Sequence, residues 1–261
     1  MGILKPGLLA RLLGVLERLA YRHASGWVAV NDDVAEQMRR TAGLDRPVVI
    51  APNACDLELF RPDRDGAAFR AEHGLGHAVL AVHTGAMGPV NGLDHVIDAA
   101  AALADVPNLQ FVLIGEGSQK ARLRRRIDEE TLGNIRILDS IPKQQLADVL
   151  ATADIGLMTV QPTPILESNC ANKFFDYLAA GLPIALNYRG WQARTIEEGD
   201  CGLSADQGDD AAFTDAVRRL AGDLIQRDTM GANARRVAEI RFDRKTIVAG
   251  IVSLLDRVDA G

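Results

Sequence analysis

The chain has 261 residues, 48% of them apolar and 25% charged, a balance that allows one large α/β domain, or one domain with part of another. With a net charge of −6, nothing argues for a nucleic-acid partner, whose phosphates call for a basic face. Three widely spaced cysteines, Cys55, Cys170 and Cys201, show no CxxC pairing, which argues against a zinc site or a disulfide framework and for a reducing, cytoplasmic setting.

At the N-terminus, Leu8, Leu12, Val15, Leu16 and Leu19 fall on one helical face, with Arg11, Glu17, Arg18 and Arg22 elsewhere. Arg11 interrupts the apolar run and no small-residue cleavage pattern follows, so a signal peptide is not indicated. No run reaches the roughly 18 to 20 apolar residues that span a bilayer. The helix has two readings: a face packed on protein, or peripheral membrane contact through residues 3–20. A short strand over 27–30 follows, then a helix to Ala42 that Asn31 or Asp32 can cap, and a second short strand over 48–50. The polar stretch Ala54–Gly76 reads as a linker.

From Ala78 onward, strand and helix alternate. Strands are predicted at 78–84, 109–114, 135–138, 154–159, 183–187 and 201–204. Helices are predicted near 91–104, 118–131, 143–153, 172–181, 190–199 and 209–226, with two more in the tail, about 228–258. Continuous apolar strands alternating with helices imply an α/β fold with a doubly wound parallel sheet, Rossmann-like. Residues 1–60 hold too little for a domain of their own and read as the end of a preceding one, ahead of a ligand-binding domain at 61–240 and a final helix within 241–261.

Ligands of such sheets bind beyond the carboxyl ends of the strands, so the loops there are the informative segments. The first, Thr84–Gly92, holds Gly85, Gly88 and Gly92 with Asn91; it is either a phosphate cradle or a plain tight turn. In the second, Glu116 stands between two glycines and is either a ligand for sugar or ribose hydroxyls or a solvated turn residue. The third, ILESNCANKFFDYLAAGLPIALN at 165–187, places Glu167 before a helix for which Asn172 is a candidate N-cap. Lys173 lies in that helix's first turn, where a cation opposes the helix dipole unless an anion neutralises it, and Asp176 follows one turn on. His83 reads as a core group in an apolar strand, and His23, His73, His77 and His95 as surface residues. Cys170 reads as a small packing residue. There is no P-loop, GxSxG or HExxH.

In order, PNACDLELFRP (52–62), TGAMGPVNGLD, LIGEGSQKARL and NKFFDYLAAGLPI resemble glycosyltransferase family 4, retaining enzymes of the GT-B fold. The last of these, followed by Asn187-Tyr188-Arg189-Gly190-Trp191-Gln192, is similar to the bacterial subgroup that builds surface polysaccharide and O-antigen, aminosugar transferases among them. The resemblance implies the C-terminal, donor-binding half of a GT-B fold, preceded by a remnant of the N-terminal acceptor domain. It implies a metal-independent enzyme without a cofactor, whose donor is a nucleotide-diphosphate sugar, UDP-linked. Asp176 takes the ribose position. Of the family's glutamate pair, the upstream position is Ser168, with Glu167 one residue out of register; Glu167 or Glu116 then meets the donor sugar. Where the family places an Arg and a Lys in the first glycine loop, this chain has Ala86 and Asn91, so the diphosphate falls to Lys173, Asn172 and the loop residues Gly85, Gly88, Asn91 and Gly92. The catalytic histidine of such enzymes belongs to the N-terminal domain, which a longer protein or a partner chain would supply. The acceptor is a glycan or a polyprenyl-linked one, at the inner face of the cytoplasmic membrane. A non-catalytic nucleotide-sugar-binding subunit and a nucleotide-sugar epimerase are the alternatives.

Overall fold

The computed structural model describes residues 7–259. It divides into two compact units, one of residues up to 53 with those from 244 on, the other of residues 54–243.

The smaller unit contains helix α1 (Leu8–His23), strand β1 (Trp27–Ala29), helix α2 (Asp32–Ala42), strand β2 (Val48–Ile50) and the chain's last helix, Arg244–Asp259. Of the two candidate caps for α2, Asn31 serves: its side chain accepts from Val34 N at 2.8 Å, and Gly43 closes the other end in the left-handed conformation. β1 and β2 pair in parallel around a small core of Trp27, Ala29, Ala35, Met38 and Ala42. No residue of α1 is buried, and Leu8 is 86% exposed. Residues 3–6 of the predicted membrane-contact stretch lie outside the described residues. No helix among the described residues is long and apolar enough to cross a membrane.

The larger unit is built on a six-stranded, wholly parallel sheet. After helix α3 (Ala67–Glu72) come β3 (Val79–Thr84), α4 (Asp94–Ala102), β4 (Leu109–Ile114), α5 (Lys120–Glu129), β5 (Ile135–Leu138), α6 (Lys143–Thr152) and β6 (Ile155–Met158). Then follow α7 (Asn172–Ala179), β7 (Ile184–Leu186), α8 (Trp191–Glu198), β8 (Gly202–Ser204), α9 (Asp210–Gly222) and α10 (Leu224–Arg241). The spatial order β5-β4-β3-β6-β7-β8 is the doubly wound arrangement expected from the sequence. β3, β4 and β6 are buried almost throughout because helices cover both faces, and the main core runs from Val96 and Ile97 through Phe111 and Leu157 to Phe213 and Val217.

Two predicted segments differ. The stretch read as a linker, 54–76, contains α3, which long-range bonds hold: Arg70 donates to Thr152 Oγ1 at 2.6 Å, to Ala78 O at 2.8 Å and to Asp154 at 3.1 Å. The helix predicted over 209–226 is broken. Asp223 leaves helical geometry (φ −119°, ψ 95°) and caps α10 by accepting from Gln226 N at 2.9 Å, so α9 and α10 are separate.

Candidate functional site

The strand order turns back between β3 and β6, and the loops following β3, β4 and β6 meet at that edge. Their glycines are fixed by the meeting. A Cβ on Gly115 would lie 1.8 Å from Gly85 O, one on Gly117 2.4 Å from Met87 O, and one on Gly92 2.7 Å from the Val160 backbone. Backbone bonds complete the junction: Gly85 N donates to Ile114 O (2.9 Å), Met87 N to Glu116 O (2.7 Å) and Gln161 N to Val90 O (3.1 Å). Gly92 is buried against the Val160 backbone, which it approaches closely. Gly85 and Ala86 remain exposed, and Gly88 is half-buried in a small cleft with Pro89, Gln119, Arg122 and Gln161. Asn91 is also half-buried; its carbonyl accepts from Thr159 Oγ1 at 2.7 Å.

Helix α7 is fastened across this edge by one hydroxyl. Tyr177 Oη accepts from Thr84 N at 2.9 Å and bonds to Val82 O at 3.3 Å, while Gly156 leaves room for its ring, which would stand 2.5 Å from a Cβ there. Lys173 lies one turn before Tyr177 on the same face, and its ammonium therefore reaches the end of β3. Nζ is 3.0 Å from His83 Nε2 and 3.7 Å from where a Cβ of Gly85 would be. Among the described residues no carboxylate forms an ion pair with it. Burial, with no anion to offset it, pulls the Lys173 pKa down to about 7. His83, read from the sequence as an ordinary core group, is fully buried and is the ammonium's hydrogen-bond partner. Its one signal in the sequence is a titratable residue inside the apolar strand AVLAVHT, immediately before the glycine loop.

Asn172 is not the cap of α7. Ala171 holds that position, without a side-chain bond, and Asn172 is the exposed first residue of the helix. The first-turn amides thus lack a side-chain cap beside an under-compensated cation, which suits an anion.

Asp176, half-buried, has its pKa raised to about 6 by burial, with Lys143 opposing and Asp56 adding to the effect. Lys143 Nζ stands 3.9 Å from Asp56 Oδ2, and Cys55 Sγ bonds to Phe175 O at 3.3 Å, so the PNACD segment is tied to α7. The sequence did not reveal this grouping, because 120 residues separate Cys55 from Phe175. A raised carboxyl pKa means that the folded state binds more protons than the unfolded one between about pH 4 and 6. The cost of charging Asp176 is therefore fully present above pH 6 and absent below 4. Between pH 7 and 4.5, stability relative to Asp176→Asn should shift in favour of the native protein by about 1–2 kcal/mol, partial exposure screening the rest. Parallel urea titrations at the two pH values check this; no differential would contradict it.

Glu167 sits half-buried in a single turn of 3-10 helix, Pro164–Ser168, and forms no ion pair among the described residues. The Asn187–Gln192 motif frames that turn. Asn187 brackets Val160 through both main-chain groups (2.8 and 3.0 Å), Trp191 Nε1 donates to Asn169 O (2.8 Å), and a Cβ on Gly190 would lie 2.1 Å from Glu167 O. Glu116, exposed, is paired: Lys120 bridges it to Asp139 (2.6 Å), and its carboxylate also accepts from Ser140 N. Cys170 is half-buried, and Cys55 and Cys201 are buried thiols whose pKa values burial raises.

His95 also has a partner that its sequence context hides, Asp210 at 2.6 Å; with Asp98 they form the one grouping of potential metal ligands among the described residues. Asp98 is already paired with Arg126 there, and none of the three belongs to the loops around Lys173. A hollow lies at the other edge of the sheet, beside Asp154, Pro183 and Arg227, where the strands begin, and none of the candidate site residues lines it.

The chain is similar to the D-inositol 3-phosphate glycosyltransferase of Corynebacterium efficiens, 29% identical over 202 residues that cover 73% of this chain and 46% of that protein. It is 27% identical over 157 residues to the lipopolysaccharide core biosynthesis glycosyltransferase LpsD of Rhizobium meliloti, covering 60% of this chain and 44% of the other. The chain thus spans about half the length of the relatives it matches. Among solved structures, Anabaena Alr3699/HepE in complex with UDP-glucose superposes with a TM-score of 0.79 at 20% identity, over 95% of this chain and 67% of that one, which shows a shared GT-B fold. The epimerase and binding-subunit alternatives gain no support from these matches. The profile of the glycosyl transferases group 1 matches residues 78–223, more than half of the chain, and takes in the glycine loop, the Glu167 turn and α7. The chain belongs to that family.

Proposed function

We propose that this chain carries the donor site of a retaining, family 4 glycosyltransferase and binds a UDP-sugar at the carboxyl edge of its sheet. The single observation that carries the reading is Lys173: a cation without an anionic partner, at an uncapped helix start, over the exposed backbone of Gly85. A diphosphate supplies the missing charge. Lys173 then acts as a point charge, joined by the first amides of α7 and the Gly85–Gly88 backbone. As the sugar–phosphate bond breaks, charge grows on the departing diphosphate, and these fixed donors stabilise it without a metal. Asp176 holds the ribose and Glu167 the donor sugar.

The acceptor is a glycan or a polyprenyl-linked one in bacterial surface-polysaccharide synthesis, at the cytoplasmic side of the membrane. The acceptor site and catalytic histidine belong to an N-terminal domain, of which residues 1–60 form the end, whether in the same protein or in a partner chain. The exposed leucines of α1 interleaved with Arg11 and Arg18 support peripheral membrane contact. Failure to co-sediment with anionic vesicles would remove that element.

The donor reading is tested by titrating 15N-labelled protein with UDP. Amide resonances of Gly85–Gly88 and Asn172–Asp176 should move, while those around the hollow at Asp154 and Arg227 stay fixed. Shifts confined to the latter, or none, would sink it.

A further inference from the structure

Lys173 and His83 form a pair that donor binding alone does not account for. His83 is fully buried in β3, opposite Leu113 of β4, in a strand otherwise made of apolar residues and a terminal threonine. An apolar side chain would pack there without leaving polar atoms to satisfy. The imidazole has one organised polar partner, the Lys173 ammonium at 3.0 Å from Nε2. When Lys173 is charged it only donates, so Nε2 is then the acceptor and the ring proton sits on Nδ1. Around Nδ1 are the carbonyls of Ala86 and Leu157, neither in a well-aligned bond with it. Burial and the neighbouring lysine both disfavour protonation of the ring, so His83 stays a neutral acceptor.

We propose that His83 is a positioning residue which holds the Lys173 ammonium over Gly85, and that occupation of this site by a nucleoside diphosphate draws a proton from solvent onto Lys173. The inference rests on the donor reading above and specifies its proton balance: neutral lysine plus fully ionised diphosphate plus one proton gives the ammonium–diphosphate pair. The lysine Nζ–H bond forms from a solvent proton, and no other bond is made or broken.

Around Lys173, two groups titrate near neutrality, the lysine itself at about 7 and Asp176 at about 6. β3 contributes His83, already neutral. On its own helix, Tyr177 is a buried phenol with its pKa raised by burial, and Asp176 ionises near 6. The preceding turn carries Glu167, which forms no ion pair with Lys173 among the described residues. The loop 85–92 carries no titratable side chain, and Glu116 of the next loop is held by Lys120. With the free lysine titrating at about 7, a diphosphate that demands the charged form binds more weakly as pH rises above that value.

The test is calorimetry of UDP binding to the full chain from pH 7 to 9, where UDP is fully ionised, in two buffers of different ionisation enthalpy. The native protein should take up close to one proton per UDP at pH 8, and its Kd should rise about tenfold per pH unit above 7.5. Lys173→Met should show neither effect. His83→Leu removes the acceptor, so its profile should shift about one unit toward acid, with a Kd roughly tenfold weaker at pH 8. His83→Gln keeps an acceptor oxygen and should restore the native profile, which loss of packing alone would not predict. Should His83→Leu fail to fold, the native proton uptake and the glutamine variant still decide. UDP binding that depends on Lys173 but shows no proton uptake, or a profile indifferent to His83→Leu, overturns this inference and leaves the donor site standing. No UDP binding at any pH overturns both.

Discussion

Lys173→Met should stabilise the ligand-free protein and cripple its affinity for UDP. Methionine fills the same slender volume without a charge to desolvate. The lysine's folded-state pKa of about 7 lies well below its unfolded value, so the unfolded chain binds the additional proton across the interval between. The cost of burying the cation is thus complete below pH 7 and fades toward pH 10. Relieving it should raise unfolding free energy by about 1–3 kcal/mol at pH 6, the scale of an uncompensated buried polar group. The same change removes a charge-assisted bond to the diphosphate, worth about 1.5–3 kcal/mol, or roughly 10- to 150-fold in Kd. Thermal melts at pH 6 and 10 with UDP calorimetry check both halves. A destabilised variant with undiminished affinity would make Lys173 a structural residue.

Gly115→Ala should be the most damaging single methyl group in the larger unit. The added Cβ would meet Gly85 O at 1.8 Å, and that atom is backbone, tied through Gly85 N to Ile114 O. At φ 154° the glycine also has a conformation that side chains resist. Overpacking costs about 1–3 kcal/mol and backbone strain a similar amount. A loss of about 3–5 kcal/mol is expected, together with displacement of Gly85 from Lys173 and hence weak UDP binding. Gly133→Ala, with nothing within 4 Å, is the control and should stay within about 0.5 kcal/mol of the native protein. Equal stabilities of the two variants by urea unfolding would refute the tight crossing of these loops.

The strands of the main sheet were legible because most are nearly continuous apolar runs between turn signals, and that pattern survives whatever packs on it. Elements whose stability comes from afar were not. Helix α3 is six residues long and depends on Arg70 reaching Thr152 and Asp154, more than 80 residues away, so nothing local announces it. At 222–226, Gly222 and Asp223 carried a stop and a cap in plain view, but the apolar spacing through Leu224 and Ile225 continues a helical pattern and obscured the break. The site divides in the same way. Lys173 stood out because a cation at a helix start is locally unfavourable. Its partner His83 lies 90 residues earlier, and only the fold brings the two to 3.0 Å. The close approach of Gly92 to the Val160 backbone was hidden because a glycine needed for such contact and one that cradles a phosphate look alike in sequence. The ion pairs of Glu116 were hidden because Lys120 and Asp139 come from the next helix and the end of the neighbouring strand.

The central claim is that the edge holding Lys173, Gly85 and the start of α7 receives the diphosphate of a nucleotide sugar. The most direct measurement compares uridine, UMP and UDP by calorimetry at pH 7 in EDTA, on the native protein and on Lys173→Met. The account predicts that affinity climbs from uridine to UDP in the native protein without a metal, and that most of the gain from the second phosphate disappears in the variant while uridine binding is unchanged. Equal binding of uridine and UDP, or a phosphate gain that survives the loss of Lys173, would contradict it.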